Sequence, residues 1–435
     1  LHSDGKIKLR LNVVQVIVSA VLELLILQGL TTDEAGETKP VASWLSDVFK
    51  ANQLINLADD LHEAVMRDRE AFLIVDWNKI KGIPRYTMHE RFIDLVANEN
   101  GGTGCWMLYE NDDFYQPPIL AVQQWSESVM RGVQRTTRNR RTVYYPDRYE
   151  RFVNNGADWV PFEGDEAPDE DAGEGETPGY VVPWTTTGEP GGEPLGIPVI
   201  HFRNKGYIPE AYEALPIQDG INKLFVDILG AGDLSGFPLL VALGFYPTTD
   251  GKEPNEKGTN LIKIAPRSWI GTTKSKTDAE VKQIEAGDLS KLMDTLLTTI
   301  ALAAQITGTP VSRFVMTKQV AGAETLKEQD GPLTSKVEKR SSLLGTSWVQ
   351  AAELGRRLHN VKSKGDKLDE KVQINAVWRK KANIDELIKK RNGLKIPLEQ
   401  LWKEWGYSEK EIQFMKSTDE YKLAMRALGA DELGG

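Results

Sequence analysis

Two dipeptides, His62-Glu63 and His89-Glu90, begin like a zinc-protease helix, in which two histidines one turn apart hold the metal and the glutamate acts as general base. Each lacks its second histidine, because Met66 and Ile93 stand four residues on. They read as surface or helix-end histidines. The chain has five histidines and one cysteine, Cys105, so an intrachain disulfide and any zinc site needing two thiolates are ruled out. No Gly-Lys-Ser or Gly-Lys-Thr occurs, which removes a P-loop to cradle nucleotide phosphates. A Ser-His-Asp triad meets only in space, and five scattered histidines give it little support. No catalytic residue, metal ligand or cofactor is assigned.

Charge gives two further candidates. Arg131, Arg135, Arg138, Arg140, Arg141 and Arg148 lie near Tyr144, Tyr145 and Tyr149. Basic residues interleaved with aromatics can bind single-stranded nucleic acid by charge and stacking. The balance favours a plainer reading, a solvated strand edge with salt bridges between subunits. The whole chain carries 53 basic and 63 acidic residues, a formal charge of −10. A protein that grips DNA by its phosphates shows the opposite excess, so any nucleic-acid role is weak, local or transient. Residues 163–193 are acidic and rich in Gly and Pro, and include Asp169-Glu170-Asp171. Such a stretch cannot bury enough apolar area to fold alone and reads as a surface insertion. A calcium loop is the sharper alternative, but the spacing does not match the EF-hand pattern.

The elements that would position these residues follow from periodicity. The chain has 435 residues, 40% of them hydrophobic, as expected for about three globular domains at ~150 residues each. Val13 to Leu30 is the most apolar stretch, but Asn12, Gln15, Ser19 and Glu23 step by three or four. That stripe predicts an amphipathic helix facing the core rather than a membrane span. No small-residue cleavage pattern follows, which argues against a signal peptide, and the first residue, Leu1, suggests that the natural N-terminus lies upstream. Helical spacing recurs through Trp44, Val48, Phe49 and Leu54, then Leu57, Leu61 and Val65. Ala71 to Val75 reads as a buried strand, and residues 140–162, with Asn154-Asn155-Gly156 as the turn, as a β-hairpin. Gly196 to Phe202 is a strand. A helix then carries Ile221, Leu224, Phe225, Ile228 and Leu229 on one face and stops at Gly230, Gly232, Gly236 and Pro238. Short β-like runs, Leu239 to Leu243 and Leu261 to Ile264, flank a polar loop from Thr248 to Asn260. Thr277-Asp278-Ala279-Glu280 has capping-box spacing and predicts a helix over 277–305, ended by Gly308 and Pro310. Residues 309–321 read as a loop. A long helix is expected from Ala323 to His359, kinked or broken at Gly331-Pro332, with short helices after Lys371. No internal repeat is found.

Taken in order, several segments resemble the portal protein family of tailed bacteriophages, of the siphophage type. Asn12 to Val18, continuing through Leu25 to Gly29-Leu30, is similar to its N-terminal helix, and Asp68 to Val75 to the strand that follows. Leu195 to Asn204 resembles the segment before its first stem helix. Ala321 to Lys327, with Leu333, Lys336 and Val337, resembles the opening of its long helix, although the family more often has Ser-Gly where this chain has Ala321-Gly322. The matched order covers most of residues 10–430.

The resemblance implies an α+β portal fold assembled as a ring, usually a dodecamer, at one capsid vertex. Residues 1–207 would be wing, including the acidic insertion 163–193. Residues 208–234 would be stem helix 1, 235–276 a small β-rich clip and 277–308 stem helix 2. A tunnel loop over 309–322, a long kinked helix and wing segment over 323–370 and a helical crown over 371–435 would complete the chain. The tunnel loop would place Arg313, Phe314, Val315, Met316, Thr317, Lys318, Gln319 and Val320 at a DNA channel, with Lys223, Lys282 and Lys291 on the stem helices. The implied partners are further copies of the chain, double-stranded DNA, the terminase large subunit, a head–tail connector or adaptor, and the major capsid and scaffold proteins, with no membrane. The implied location is the virion's portal vertex, after assembly in the host cytoplasm. Twelve copies would carry about −120 formal charge, which suits a channel that lets phosphates slide past isolated cations such as Lys318. Two alternatives stay open: a soluble enzyme with an unrecognised site, and another virion structural or adaptor protein.

Overall fold

Apolar residues recur at two periods along the chain, and in the computed structural model they form an α+β fold with open sheets. The structure describes residues 2–3, 6–7, 11–34, 39–92, 103–131, 134–154, 158–162, 180–236, 239–244, 246, 248, 275, 277–278, 280–284, 288–314, 323–363, 365–379, 400–402 and 409–418. In chain order its elements begin with β1 (His2–Ser3), β2 (Lys6–Ile7), α1 (Val13–Leu22), β3 (Leu27–Thr32), α2 (Pro40–Ala51) and α3 (Leu54–Asp68). Next come β4 (Glu70–Asn78), β5 (Ile83–Glu90), β6 (Gly104–Leu108), β7 (Leu120–Arg131), β8 (Gln134–Tyr144), β9 (Arg148–Asn154), β10 (Trp159–Pro161), β11 (Val181–Pro183) and β12 (Val199–Arg203). Then follow α4 (Leu215–Gly236), β13 (Leu239–Leu243), β14 (Glu280–Ile284), α5 (Leu289–Thr307), α6 (Ala323–Lys362), β15 (Ile374–Trp378) and α7 (Glu409–Ser417). Two compact units result, one of residues 1–16 with 213–318, the other of 17–212 with 319–435.

In the larger unit β4 is the middle strand of an antiparallel sheet, between β12 and β5. Glu70 to Val75 are all buried, so both faces are covered, and the strand reads as an unbroken apolar run. Phe72 and Ile74 enter a core with Cys105, Ala121 and Val199, which joins this sheet to the second one, ordered β10-β9-β8-β7-β6. Ala71, Leu73 and Val75 alternate to the opposite side, where α3 and α6 pack. Trp348 of α6 stands edge-on to Phe202, with ring centroids 5.1 Å apart, and donates its indole N–H to His62 Nε2 at 3.0 Å. Glu210, buried beside them, is held by Lys336 and Arg340 of α6 at 2.9 and 3.1 Å.

In the smaller unit α4 leads into β13, which pairs antiparallel with β14, which leads into α5. Leu239 opposes Ile284, so both helices leave from the same end of the ribbon, and they pack on each other. Asp288 caps α5 by accepting from Ser290 N at 3.0 Å, and Gly308 ends it in the left-handed conformation with φ +62°. Gln218 of α4 accepts from Val13 N and Val14 N at 2.8 and 3.2 Å, while Asn12 accepts from Gln15 N at 3.1 Å. Together they satisfy the donors that open α1.

Several sequence expectations hold. Helices α2 and α3, the strand at Ala71 to Val75, the hairpin pairing Asn154 with Trp159, and the strand at Leu239 to Leu243 lie where periodicity put them. Others are corrected. The helix expected over Val13 to Leu30 stops at Leu22, and Leu27–Thr32 is a strand whose partner, Ile374–Trp378, lies in the tail expected to be helical. The helix expected from residue 277 begins at Leu289. Glu280–Ile284 instead pairs with Leu239–Leu243, an interaction stronger than a local cap and invisible to it. Gly230 and Gly232 lie inside α4, which runs to Gly236. Of the kink or break expected at Gly331-Pro332, the break does not occur: helix α6 runs on through Pro332, where both residues are exposed. Part of the acidic insertion is ordered. Val181–Pro183 pairs with β9, and the buried Trp184 donates its indole N–H to Gly196 O at 2.7 Å. Residues 163–179, the run Leu261 to Ile264 and most of the loop Thr248 to Asn260 lie outside the described residues.

Candidate functional site

Of the residues predicted to matter most, Lys223, Lys282, Lys291, Arg313 and Phe314 are described, and all five belong to the smaller unit. Lys223 is exposed on α4. Lys291, in the first turn of α5, lies 3.5 Å from Asp288, and both are well exposed. Lys282, expected on a stem helix, is instead in β14, for the pairing reason given above. Arg313 closes a short 3₁₀ turn, Val311–Arg313, that packs on α5, and Phe314 follows it. Val315, Met316, Thr317, Lys318, Gln319 and Val320 lie outside the described residues.

Helix α5 is built unlike an ordinary amphipathic helix. Leu296, Ile300, Ala303 and Thr307 form its buried stripe. Met293 and Leu297 flank that stripe on one side, Leu302 and Ile306 on the other, and all four are between 40% and 48% exposed. The hydroxyls of Thr295, Thr298 and Thr299 each donate to the carbonyl four residues back at 2.8 Å, leaving their methyl groups to the surface. On α4, Leu215, Val226 and Leu229 share an exposed face. The charged residues of α4 are Asp219, Lys223, Asp227 and Asp233, so neither helix offers a basic surface.

The arginine cluster resolves differently from its expectation of solvated side chains. Arg138 and Arg140 share the Glu127 carboxylate within the chain, Arg140 is buried, and its guanidinium lies 3.5 Å from the Phe162 ring centre. Arg141 donates to Gln124 Oε1 at 2.8 Å and stacks 4.0 Å from the Trp159 ring centre; burial pulls its pKa below the usual arginine value. Arg148 pairs with Asp147 and Glu150 and lies over Tyr145. Arg131 and Arg135 take their places in the β7–β8 ladder. The two His-Glu motifs are corrected too. His62 is wholly buried, an acceptor for Trp348, and burial lowers its pKa to about 4. His89 sits in β5, its Nε2 accepts from Gln123 at 3.0 Å, and burial likewise lowers it to about 4.

A buried polar cluster was not legible from spacing. Glu70 receives His201 Nε2 at 3.0 Å, Tyr207 OH at 2.8 Å and Arg91 Nε at 2.8 Å. Burial alone would raise the Glu70 carboxyl; the bonds from His201 and Tyr207 and the charge of Arg91 outweigh it and hold it below its usual value. On its other side the His201 ring is hydrogen-bonded through Nδ1 to Tyr109 OH, 3.0 Å away. Residues far apart in sequence meet here, joining β4, β12 and the loop after β6. Among the described residues no three His, Cys, Asp or Glu side chains stand together as a metal site, and no helix is long and apolar enough to cross a membrane.

Comparison with known proteins adds the following. No protein-family model matches the chain. Over 248 residues it is 26% identical to the portal protein of Mycobacterium phage D29 and 23% identical to that of Mycobacterium phage L5. Each match takes in 53% of this chain and 49% of the relative, so it spans about half the length of the curated proteins. A solved HK97 family phage portal protein from Corynebacterium diphtheriae overlaps 75% of this chain and 86% of its own, at 10% identity and a TM-score of 0.29, too low to support an argument about fold. The resemblance read from the segments in their order is thus accompanied by sequence similarity to two phage portal proteins over about half of the chain.

Proposed function

We propose that this chain is a portal subunit, one copy in a ring at the capsid's unique vertex through which double-stranded DNA enters during packaging and leaves during ejection. The observation that carries this reading is the pair of exposed apolar flanks on α5. A helix with one buried stripe and two different apolar faces suits a heterologous contact, in which each copy offers one flank to each neighbour. Rotation by a fixed angle then closes a ring, for which twelve copies are expected. The helix–ribbon–helix of residues 215–307 would be the stem, with β13, β14 and the segment between them as the clip. Residues 309–322 would be the tunnel loop, α6 the long helix leading from it, and the far C-terminal residues the crown. The sheets of the larger unit would be wing. The clip side would dock the terminase, whose ATPase does the mechanical work, and later the head–tail connector; capsid and scaffold proteins would surround the ring. The acidic α4 and the α5 of zero net charge fit a throat that does not retain phosphates. The chain itself would do no covalent chemistry.

Electron microscopy of the purified full chain, averaged down the particle axis, tests this. The expected image is an annulus with a central hole wide enough for duplex DNA, accompanied by a native mass that is a high multiple of the subunit. A stable monomer or dimer with no pore would overturn the proposal.

A further inference from the structure

Two protrusions of the larger unit stand at opposite ends of β4. One is the tip of the β4–β5 hairpin, Asn78-Lys79-Ile80-Lys81-Gly82. Asn78 Oδ1 accepts from Ile80 N at 3.1 Å and Lys81 N at 3.0 Å, and Gly82, at φ +64°, returns its N–H to Asn78 O at 2.8 Å. This turn holds Ile80 outward, 84% exposed, between two lysines.

The other protrusion is the loop after β6. It carries Glu110, Asp112 and Asp113 with no basic residue between Tyr109 and Ile119. Asn111 and Asp112 are both left-handed, at φ +52° and +57°, a conformation that non-glycine residues keep only where the surroundings impose it. The imposing contacts are Tyr109 OH on His201, Phe114 with its ring centre 4.7 Å from that of Tyr207, and Arg203 lying 4.9 and 5.0 Å from the Phe114 and Tyr115 ring centres. The anchored loop leaves Tyr115 89% exposed, with Leu108 and Ile119 also exposed at its base.

His201 opposes Phe72 and Arg203 opposes Glu70, so this loop is tied to the start of β4, while the Lys-Ile-Lys tip follows its end. Eight residue steps of strand at ~3.3 Å put roughly 26 Å between them. One protrusion is an apolar knob between two lysines; the other is an apolar surface beside three carboxylates, with Arg203 stacked against its Phe114 and Tyr115 rings. They cannot meet within one copy, but they fit each other between copies related by rotation. We infer that the Ile80 tip of one copy seats on the Tyr115 loop of the next, a head-to-tail contact made by the larger unit. The inference rests on the reading above that copies assemble with themselves, and it adds a second contact, distinct from α5.

The full chain carrying both Ile80→Cys and Tyr115→Cys tests it, because the sole native cysteine, Cys105, is buried. Under mild oxidant the double variant is expected to give a ladder of subunit multiples on a non-reducing gel, whereas each single variant gives none. Should the double variant fold poorly, charge reversal on exposed residues gives the same answer by native mass. Lys79→Glu with Lys81→Glu should weaken self-association at least tenfold, and adding Glu110→Lys with Asp112→Lys should restore it. An assembled chain without a ladder, or unmoved by reversal, overturns this contact and leaves the ring reading standing. A ladder that stops at dimers in the lone Ile80→Cys chain also overturns it, since two tips would then be meeting. A wild-type chain that stays monomeric overturns both.

Discussion

The larger unit has a deep apolar core and keeps its exposed apolar residues mostly to loops and tips, whereas the smaller one leaves apolar residues out along its helices. Phe72, Leu73, Phe202 and Trp348 are all at most 1% exposed, whereas Val226, Leu302 and Ile306 are roughly half exposed on helices that have every ordinary reason to fold. The first region is complete in itself: a three-stranded sheet with helices on one face and a second sheet on the other. The second is a helix–ribbon–helix with a single buried stripe. Its remaining apolar surface has no use in an isolated copy. On the proposed function, the difference would separate residues that hold one copy together from residues that serve contact between copies.

The sharpest way to break the comparison is to open the larger core. Trp348→Ala would leave a cavity beside Phe202 and strip His62 of its donor, and should lower unfolding stability by about 3–5 kcal/mol in a urea titration. Lowering the pH should have a similar, somewhat smaller effect. His62 is held neutral, with its pKa lowered to about 4 from 6.5. Between those values the unfolded chain binds the proton and the folded chain does not, so its contribution is complete above pH 6.5 and is lost as pH falls towards 4. The shift corresponds to about 3 kcal/mol as an upper bound. Urea midpoints at pH 7 and 4.5 would read it together with the like-signed contribution of His89, and His62→Gln, which keeps an acceptor for Trp348, should reduce the slope by its own share and leave that of His89.

Leu302→Asp with Ile306→Asp would test the exposed flank. The larger core should be untouched, and self-association should weaken roughly a hundredfold, about 2.7 kcal/mol, in native mass or sedimentation. Loss of chain stability with unchanged assembly would show that these residues serve folding instead. The smallest effect is expected for Lys291→Ala. Both it and its partner Asp288 are more than half exposed, so the thermal midpoint should reflect a change within ~0.5 kcal/mol.

Legibility followed the range of the interaction. Ala71 to Val75 announced a strand because five consecutive apolar residues need cover on both faces, and Asn154-Asn155-Gly156 announced a turn because these residues suit its backbone. Helices α2 and α3 were visible through a 3.6-residue period. The box at Thr277 misled because its spacing is local, whereas Glu280–Ile284 answers to Leu239–Leu243, some forty residues earlier. Leu27–Thr32 misled in the same way, its partner lying about 340 residues away. Of the candidate site, α4, α5 and the turn before Phe314 could be found in advance. The two flanks of α5 could not, because which of a helix's apolar residues remain outside depends on what packs against it.

By itself, the order of residues determined the absence of a P-loop, the lone cysteine, the acidic balance and most helix and strand locations, since each depends on composition or on neighbours a few positions apart. Only the tertiary structure decided that Glu70, His201, Tyr109 and Arg91 meet in one buried cluster, that Arg140 and Arg141 of β8 stack on aromatics, and that α5 keeps two apolar sides exposed. Those outcomes turn on sheet register and helix packing between distant segments. A one-residue slip in a strand moves every side chain to its opposite face, and no local pattern encodes the partner that prevents it.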